Sequence, residues 1–173
     1  MTDKKEKILS SALDLFANNG VNATSTSKIA KKAGVSEGLI FRHFSSKKSL
    51  LDSLMQSAEE QINLLFEKIY NSTDPKTVLR KTIELPFSIK KSEYDFWKLH
   101  FKLKWEEEYN NQSILQLLID KLTWAFQELE FDNPKQEAFL LTQIMQITST
   151  DLLKGNLKNK QAYKDFLINR YIN

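Results

Sequence analysis

From Lys47 to Tyr70 the apolar residues Leu50, Leu51, Leu54, Ala58, Ile62, Leu65, Phe66 and Ile69 recur at steps of three and four without interruption. That is the period of one face of an α-helix, and a helix this long reaches from the N-terminal part of the chain well into the remainder. The same period appears earlier. Ile8, Leu9, Ala12, Leu13, Leu15 and Phe16 stripe a helix from about Lys4 to Asn18, which Asn18-Asn19-Gly20 closes in the manner of a left-handed C-terminal stop. Glycine and proline together supply only seven of 173 residues, well below ordinary usage of roughly 12 %, and all-β folds need more turn residues. With 41 % hydrophobic and 11 % aromatic residues the chain can bury enough apolar surface to offset the entropy of ordering. An all-α fold of about nine helices is expected.

Capping residues divide the chain. Thr24-Ser25-Thr26-Ser27 offers N-cap hydroxyls to a short second helix carrying Ile29, Ala30 and Ala33, and Gly34-Val35-Ser36 interrupts it. Ser36 can cap a third short helix to about His43, and Ser45-Ser46 the long fourth. Asp74-Pro75 and Asn133-Pro134 each set a capping residue before a proline at the first helical position, with Gln136 completing a capping-box pattern in the second case. Pro86, between Leu85 and Phe87, is expected to kink or break its helix. Further helices are expected over about Ser113–Glu130, Pro134–Lys154 and Lys160–Tyr171. The stretch from Trp97 to Trp105 alternates apolar and polar as a strand would, but no second run exists to pair with it, so it too reads as helix.

Composition removes several functions. Without cysteine there is no thiolate catalysis, zinc finger or iron–sulfur cluster. His43 and His100 are the only histidines, no Gly-rich phosphate loop is present, and Glu106-Glu107-Glu108 reads as a solvated charge run. Neither an enzyme nor a cofactor is expected. No apolar run approaches the roughly 18 residues of a membrane span, and the N-terminus mixes both charge signs ahead of no apolar region, so a cytoplasmic protein without a membrane partner is expected. Charge is uneven: residues 1–50 hold nine basic and four acidic groups, while the rest is slightly acidic. A basic front end on such a remainder suggests one part that meets an anion and another that does something else.

Within that basic part Ala30, Gly34 and Ile40 stand at helix-turn-helix spacing: a small residue where two helices approach, glycine for the positive φ of the turn, an aliphatic side chain to fill the crevice. From Ile8 to about Leu54 the chain resembles the DNA-binding region of the TetR family of bacterial regulators. Leu13-Asp14-Leu15-Phe16-Ala17 ahead of Gly20 carries the likeness, as do Ala23-Thr24-Ser25, Ile29 through Ser36, Gly38, His43-Phe44, and Ser46-Lys47 before Leu50-Leu51. The resemblance implies a helix-turn-helix domain over residues 1–46 and a helical ligand-binding and dimerisation domain over 47–173. It further implies a recognition helix from Ser36 to His43 in the major groove, with Glu37, Gly38 and Leu39 at base edges and Ser27 approaching from the preceding helix. Thr24, Ser25, His43 and Lys47 would meet backbone phosphates. Leu39 stands where family members often have threonine and Phe41 where they commonly have tyrosine. Phe41 therefore has no hydroxyl for a phosphate, and Leu39 can touch a thymine methyl but not hydrogen-bond. Glu37 can accept from a cytosine amino group, and Arg42 can reach a guanine, a phosphate or the domain's own surface.

The same resemblance implies a transcriptional regulator, a repressor, bound to a palindromic operator in double-stranded DNA as a homodimer. The last two long helices would form the dimer seam, with Leu141, Met145, Thr148, Leu152, Tyr163, Phe166 and Tyr171 as its candidates. It also implies a small apolar or aromatic effector in the aromatic-rich centre, where Phe66, Phe87, Trp97, Phe101, Trp105 and Trp124 are the candidate lining. A core with no such effector, under a protein partner or under no control, is the alternative.

Overall fold

The structure, a computed structural model, describes residues 3–103, 106, 109 and 112–172. Among the described residues there are nine α-helices and no strand: α1 Asp3–Asn19, α2 Thr26–Ala33, α3 Glu37–His43, α4 Lys47–Tyr70, α5 Pro75–Ser88, α6 Tyr94–Leu103, α7 Gln112–Glu128, α8 Pro134–Lys154 and α9 Lys160–Ile172. None of them is long and apolar enough to cross a membrane. The alternating stretch that begins at Trp97 is helical as far as Leu103, within α6, whereas Lys104, Trp105, Glu107 and Glu108 lie outside the described residues.

Two compact units share the chain. The first runs from Met1 to Glu60 and from Ser92 to Asn110, the second from Gln61 to Lys91 and from Asn111 to Asn173. In this packing the start of α4 lies with the first unit. Leu50 and Leu51 at the start of α4, and Leu99 and Leu103 of α6, are buried in one cluster with Ile8, Phe16, Ile29, Ile40 and Phe44. The repeating stripe of α4 marks one continuous helix, but which neighbours cover each turn is decided by packing that periodicity does not encode. Polar contacts fasten α6 to the end of α1. Lys102 donates to the Ala17 carbonyl, and the Lys98 ammonium lies 3.4 Å from both Asn18 Oδ1 and Asp95 Oδ1. A cation beside the last carbonyls of a helix also meets the negative end of its dipole, and α1 has no basic residue of its own in its last turn to do so.

The second unit is built around α5, which packs against α7, α8 and α9. Val78, Leu79 and Ile83 of α5 meet Leu118, Leu122 and Phe126 of α7, Ala138, Leu141 and Met145 of α8, and Leu167, Tyr171 and Ile172 of α9 in one buried cluster. Asp74 caps α5, accepting from the Thr77 N–H at 2.8 Å and from the Thr77 hydroxyl. Asn133 starts α8 without a side-chain cap bond, so the expected capping box is absent there. Pro86 does not break α5 where it stands. The helix ends two residues later, at Ser88, so the missing N–H removes a bond only in the last turn, where Pro86 is itself buried.

Candidate nucleic-acid interface

Two serines and one glycine set the geometry of α2 and α3. Ser25 caps α2 by accepting from the Lys28 N–H at 3.2 Å, and Ser36 caps α3 by accepting from the Leu39 N–H at 3.3 Å. Between the helices Gly34 takes φ 67° and ψ 37°, and the Val35 N–H returns to the Ala30 carbonyl at 3.1 Å. A Cβ on Gly34 would meet nothing within 4 Å, so glycine is required by the left-handed backbone and not by crowding. Ala30 and Ile40 are both buried in the first unit's core, as the Ala30–Gly34–Ile40 spacing anticipates.

With Ile40 and Phe44 turned inward, one face of α3 is left to solvent. Glu37, Gly38, Phe41 and Arg42 are exposed there, Phe41 to 49 % of its surface. Their i, i+1, i+4, i+5 spacing is one helical stripe. Ser27 on α2, and both capping serines, are exposed as well. Leu39 is half-buried and packs against the core, and His43 is half-buried with its ring 6.3 Å from that of Phe44. Leu39 therefore offers less to a base edge than the sequence suggests. On α2, exposed Lys28 donates to the Ala23 carbonyl at 3.1 Å, and exposed Lys32 pairs with Asp14.

Two expected phosphate contacts are differently employed. Thr24 is buried, and its hydroxyl donates to the Gly20 carbonyl at 2.8 Å while lying 3.3 Å from that of Leu15. The turn after α1 takes up this hydroxyl, which leaves Ser25 as the exposed one of the pair. Lys47 donates to the Val21 carbonyl at 2.9 Å and the Thr24 carbonyl at 3.2 Å, so its ammonium ties down the loop between α1 and α2 and keeps at most one of its three protons for an anion. Sequence reasoning missed Thr26. The first residue of α2, it donates its hydroxyl to Glu37 Oε1 at 2.6 Å; its place in a run of four capping candidates hid it.

Residues 8–54 match the family described as bacterial regulatory proteins, tetR family. Over these residues the chain is similar to the tetR family. Among its relatives, the HTH-type transcriptional regulator YerO of Bacillus subtilis (strain 168) is 34 % identical over 102 residues, covering 56 % of this chain and 34 % of its own. YuxN of the same organism is 29 % identical over 184 aligned residues, covering 98 % of this chain and 62 % of its own. The chain thus spans about a third of the first relative's length and about three fifths of the second's. A crystal structure of a TetR-like transcriptional regulator from Rhodococcus sp. RHA1 has the same fold, with a TM-score of 0.79 at 18 % identity over 95 % of this chain and 91 % of that one.

Outside the tetR-family module, the two other sets of candidate residues are placed as follows. Leu141, Met145, Thr148 and Leu152 of α8 are buried in the chain's own fold, as is Tyr171 of α9, and a side chain already covered leaves little surface for a partner. Tyr163 is half-buried with its ring stacked on that of Phe166, which is 58 % exposed. The exposed apolar side chains of α8 are Phe139 at 57 %, Leu140 at 45 % and Ile147 at 64 %, one stripe on the side of the helix away from its core residues. A second apolar stripe on α8 was the available signal. The aromatic candidates are divided between the units. Phe66 and Trp124 pack against the core of the second unit, where Lys121 lies 4.2 Å above the Trp124 ring, and Phe87 is half-buried in the same unit. Trp97 and Phe101 belong to the first unit, with centroids 6.2 Å apart, and Trp105 is outside the described residues.

Proposed function

We propose that this protein is a sequence-specific DNA-binding transcriptional regulator that binds a palindromic operator as a homodimer. The observation that carries the reading is the exposed stripe of α3, Glu37, Gly38, Phe41 and Arg42, presented by a helix whose opposite side is sealed into the core by Ile40. A helix of this kind fits the major groove, where donors and acceptors on base edges differ for each base pair. Ser27, Ser36 and the half-buried Leu39 lie beside the stripe. Ser25, His43 and the remaining proton of Lys47 serve the phosphates, while Thr24 contributes through the turn it stabilises. The partner copy covers the exposed stripe of α8, Phe139, Leu140 and Ile147, together with Phe166 of α9, because one half-site read by one short helix gives little affinity.

The regulator acts as a repressor, released when a small apolar or aromatic effector binds among Phe66, Phe87 and Trp124. Because α4 contributes residues 47–60 to one unit and 61–70 to the other, an effector that binds better when α4 is displaced lowers operator affinity by shifting populations. The packing of Phe66 and Trp124 against the core favours a second reading, a regulator with no small-molecule effector that answers to a protein partner or to nothing. A thermal-shift screen with apolar and planar compounds separates the two, since only an effector-binding protein is stabilised increasingly as ligand concentration rises. The DNA-binding reading is tested by footprinting on neighbouring intergenic DNA at several salt concentrations. A protected, roughly palindromic site whose occupancy falls steeply with salt is the expected result; no protected site at low salt would overturn the reading.

A further inference from the structure

The one carboxylate on the exposed stripe of α3 is held in place. Thr26 and Glu37 are the first residues of their helices, each directly behind a capping serine, and the Thr26 hydroxyl bridges them with a 2.6 Å bond to Glu37 Oε1. Thr26 is half-buried and Glu37 exposed. A glutamate on a DNA-facing helix is repelled by phosphates and adds nothing to unspecific affinity. Left free, it would also lose side-chain rotamer freedom on binding. The bond from Thr26 removes much of that freedom beforehand and leaves Oε2, and the second lone pair of Oε1, as acceptors.

We propose that Thr26 is a positioning residue that makes Glu37 a reader of the cytosine amino group; the proposal rests on the reading of α3 as the major-groove helix. An ionised carboxylate is acceptor-only, so it can bond only the N6 amino group of adenine or the N4 amino group of cytosine. In an A·T pair that amino group lies between two acceptors, N7 of adenine and O4 of thymine, both of which repel a carboxylate. In a G·C pair the cytosine amino group stands at the edge of the pattern, with an acceptor, guanine O6, on one side only. A carboxylate fixed in one orientation exploits that difference, whereas a mobile one averages over it.

Selection of bound duplexes from a random-sequence library, with the full chain and its variants, tests this. Wild type enriches cytosine at one position of each half-site. Thr26→Val, which keeps the shape and removes the hydroxyl, lowers the preference for cytosine there by about tenfold while the affinity for the best duplex falls less than about threefold; Thr26→Ser retains the wild-type preference. Glu37→Gln moves the preferred base toward adenine, because an amide both donates and accepts. The proposal is overturned if Thr26→Val keeps the wild-type base profile, or loses affinity equally on every duplex. Glu37→Gln with unchanged base preference overturns it independently, should Thr26→Val fail to fold. Wild type enriching no sequence at all would take down the DNA-binding reading itself, and this proposal with it.

Discussion

Two helix faces are left to solvent with opposite chemistry. On α3 the exposed residues are Glu37, Gly38, Phe41 and Arg42; on α8 the exposed large apolar side chains are Phe139, Leu140 and Ile147. The first stripe carries charge of both signs and one hydrogen-bonded carboxylate, so it suits a wet, polar, sequence-bearing partner. The second is led by three large apolar side chains, and an apolar stripe of this kind gains most from a partner that excludes water. The contrast teaches that exposure alone does not locate a site; what the exposed atoms can exchange with the partner does.

The largest expected effect comes from breaking the α8 face. Phe139→Asp combined with Ile147→Asp should halve the mass seen in sedimentation velocity and cost about 100-fold or more in operator affinity, since the two half-sites are then no longer linked. Fold is spared because both side chains are already in solvent. An undiminished dimer would move the seam elsewhere.

Leu141→Ala sharpens the same comparison from the other side of α8. Leu141 is wholly buried in the cluster that holds Val78, Leu79 and Leu122, so its truncation should cost about 2–5 kcal/mol of stability at any protein concentration, with the dimer mass unchanged in whatever remains folded. A concentration-dependent loss would return Leu141 to the seam.

That pair of substitutions marks how much the sequence made legible. Helix-turn-helix spacing is local: Ala30, Gly34 and Ile40 lie within eleven residues of one another, and each is demanded by one tight turn, so the turn, both caps and the inward side of α3 could be read directly. The seam is not local. α8 bears two apolar stripes, and periodicity shows that a stripe exists without saying whether its cover is the chain or a partner; Leu141 and Phe139 are alike in that respect. The aromatic candidates are divided between the units for a similar reason, Trp97 in one and Trp124 in the other, because tertiary packing alone assigns them. Thr24 and Thr26 are used in different ways. Neighbouring hydroxyls in one polar run look interchangeable, yet one closes the turn after α1 and the other reaches Glu37.

Lys47→Ala has a smaller effect than the core and seam substitutions, and a mixed one. It should weaken binding to every duplex by about tenfold and flatten the salt dependence, and it should also lower the melting temperature by the equivalent of about 1 kcal/mol, since the ammonium bonds the Val21 and Thr24 carbonyls. Binding titrations on specific and scrambled duplexes, beside a thermal melt, separate the two contributions. If affinity falls without any thermal change, the loop contact is dispensable and Lys47 acts on the phosphate alone.

The smallest effect distinguishes two helix starts that look the same in sequence. Asp74-Pro75 and Asn133-Pro134 both propose an Asx cap, but only Asp74 makes one, and the Thr77 hydroxyl and N–H it accepts from hold its carboxyl below the usual 3.8. A carboxyl whose folded value is depressed contributes stability above the unfolded value and loses it as pH falls through the folded one. Asp74→Asn should therefore melt slightly below wild type at pH 7, and the gap should close as the pH falls below 3.8 and through the depressed folded value, where the wild-type carboxylate takes up its proton. Asn133→Ala should leave the melt within about 0.5 kcal/mol of wild type at every pH. A pH-independent gap for Asp74→Asn would mean that the cap acts through shape and hydrogen bonding with no contribution from its charge.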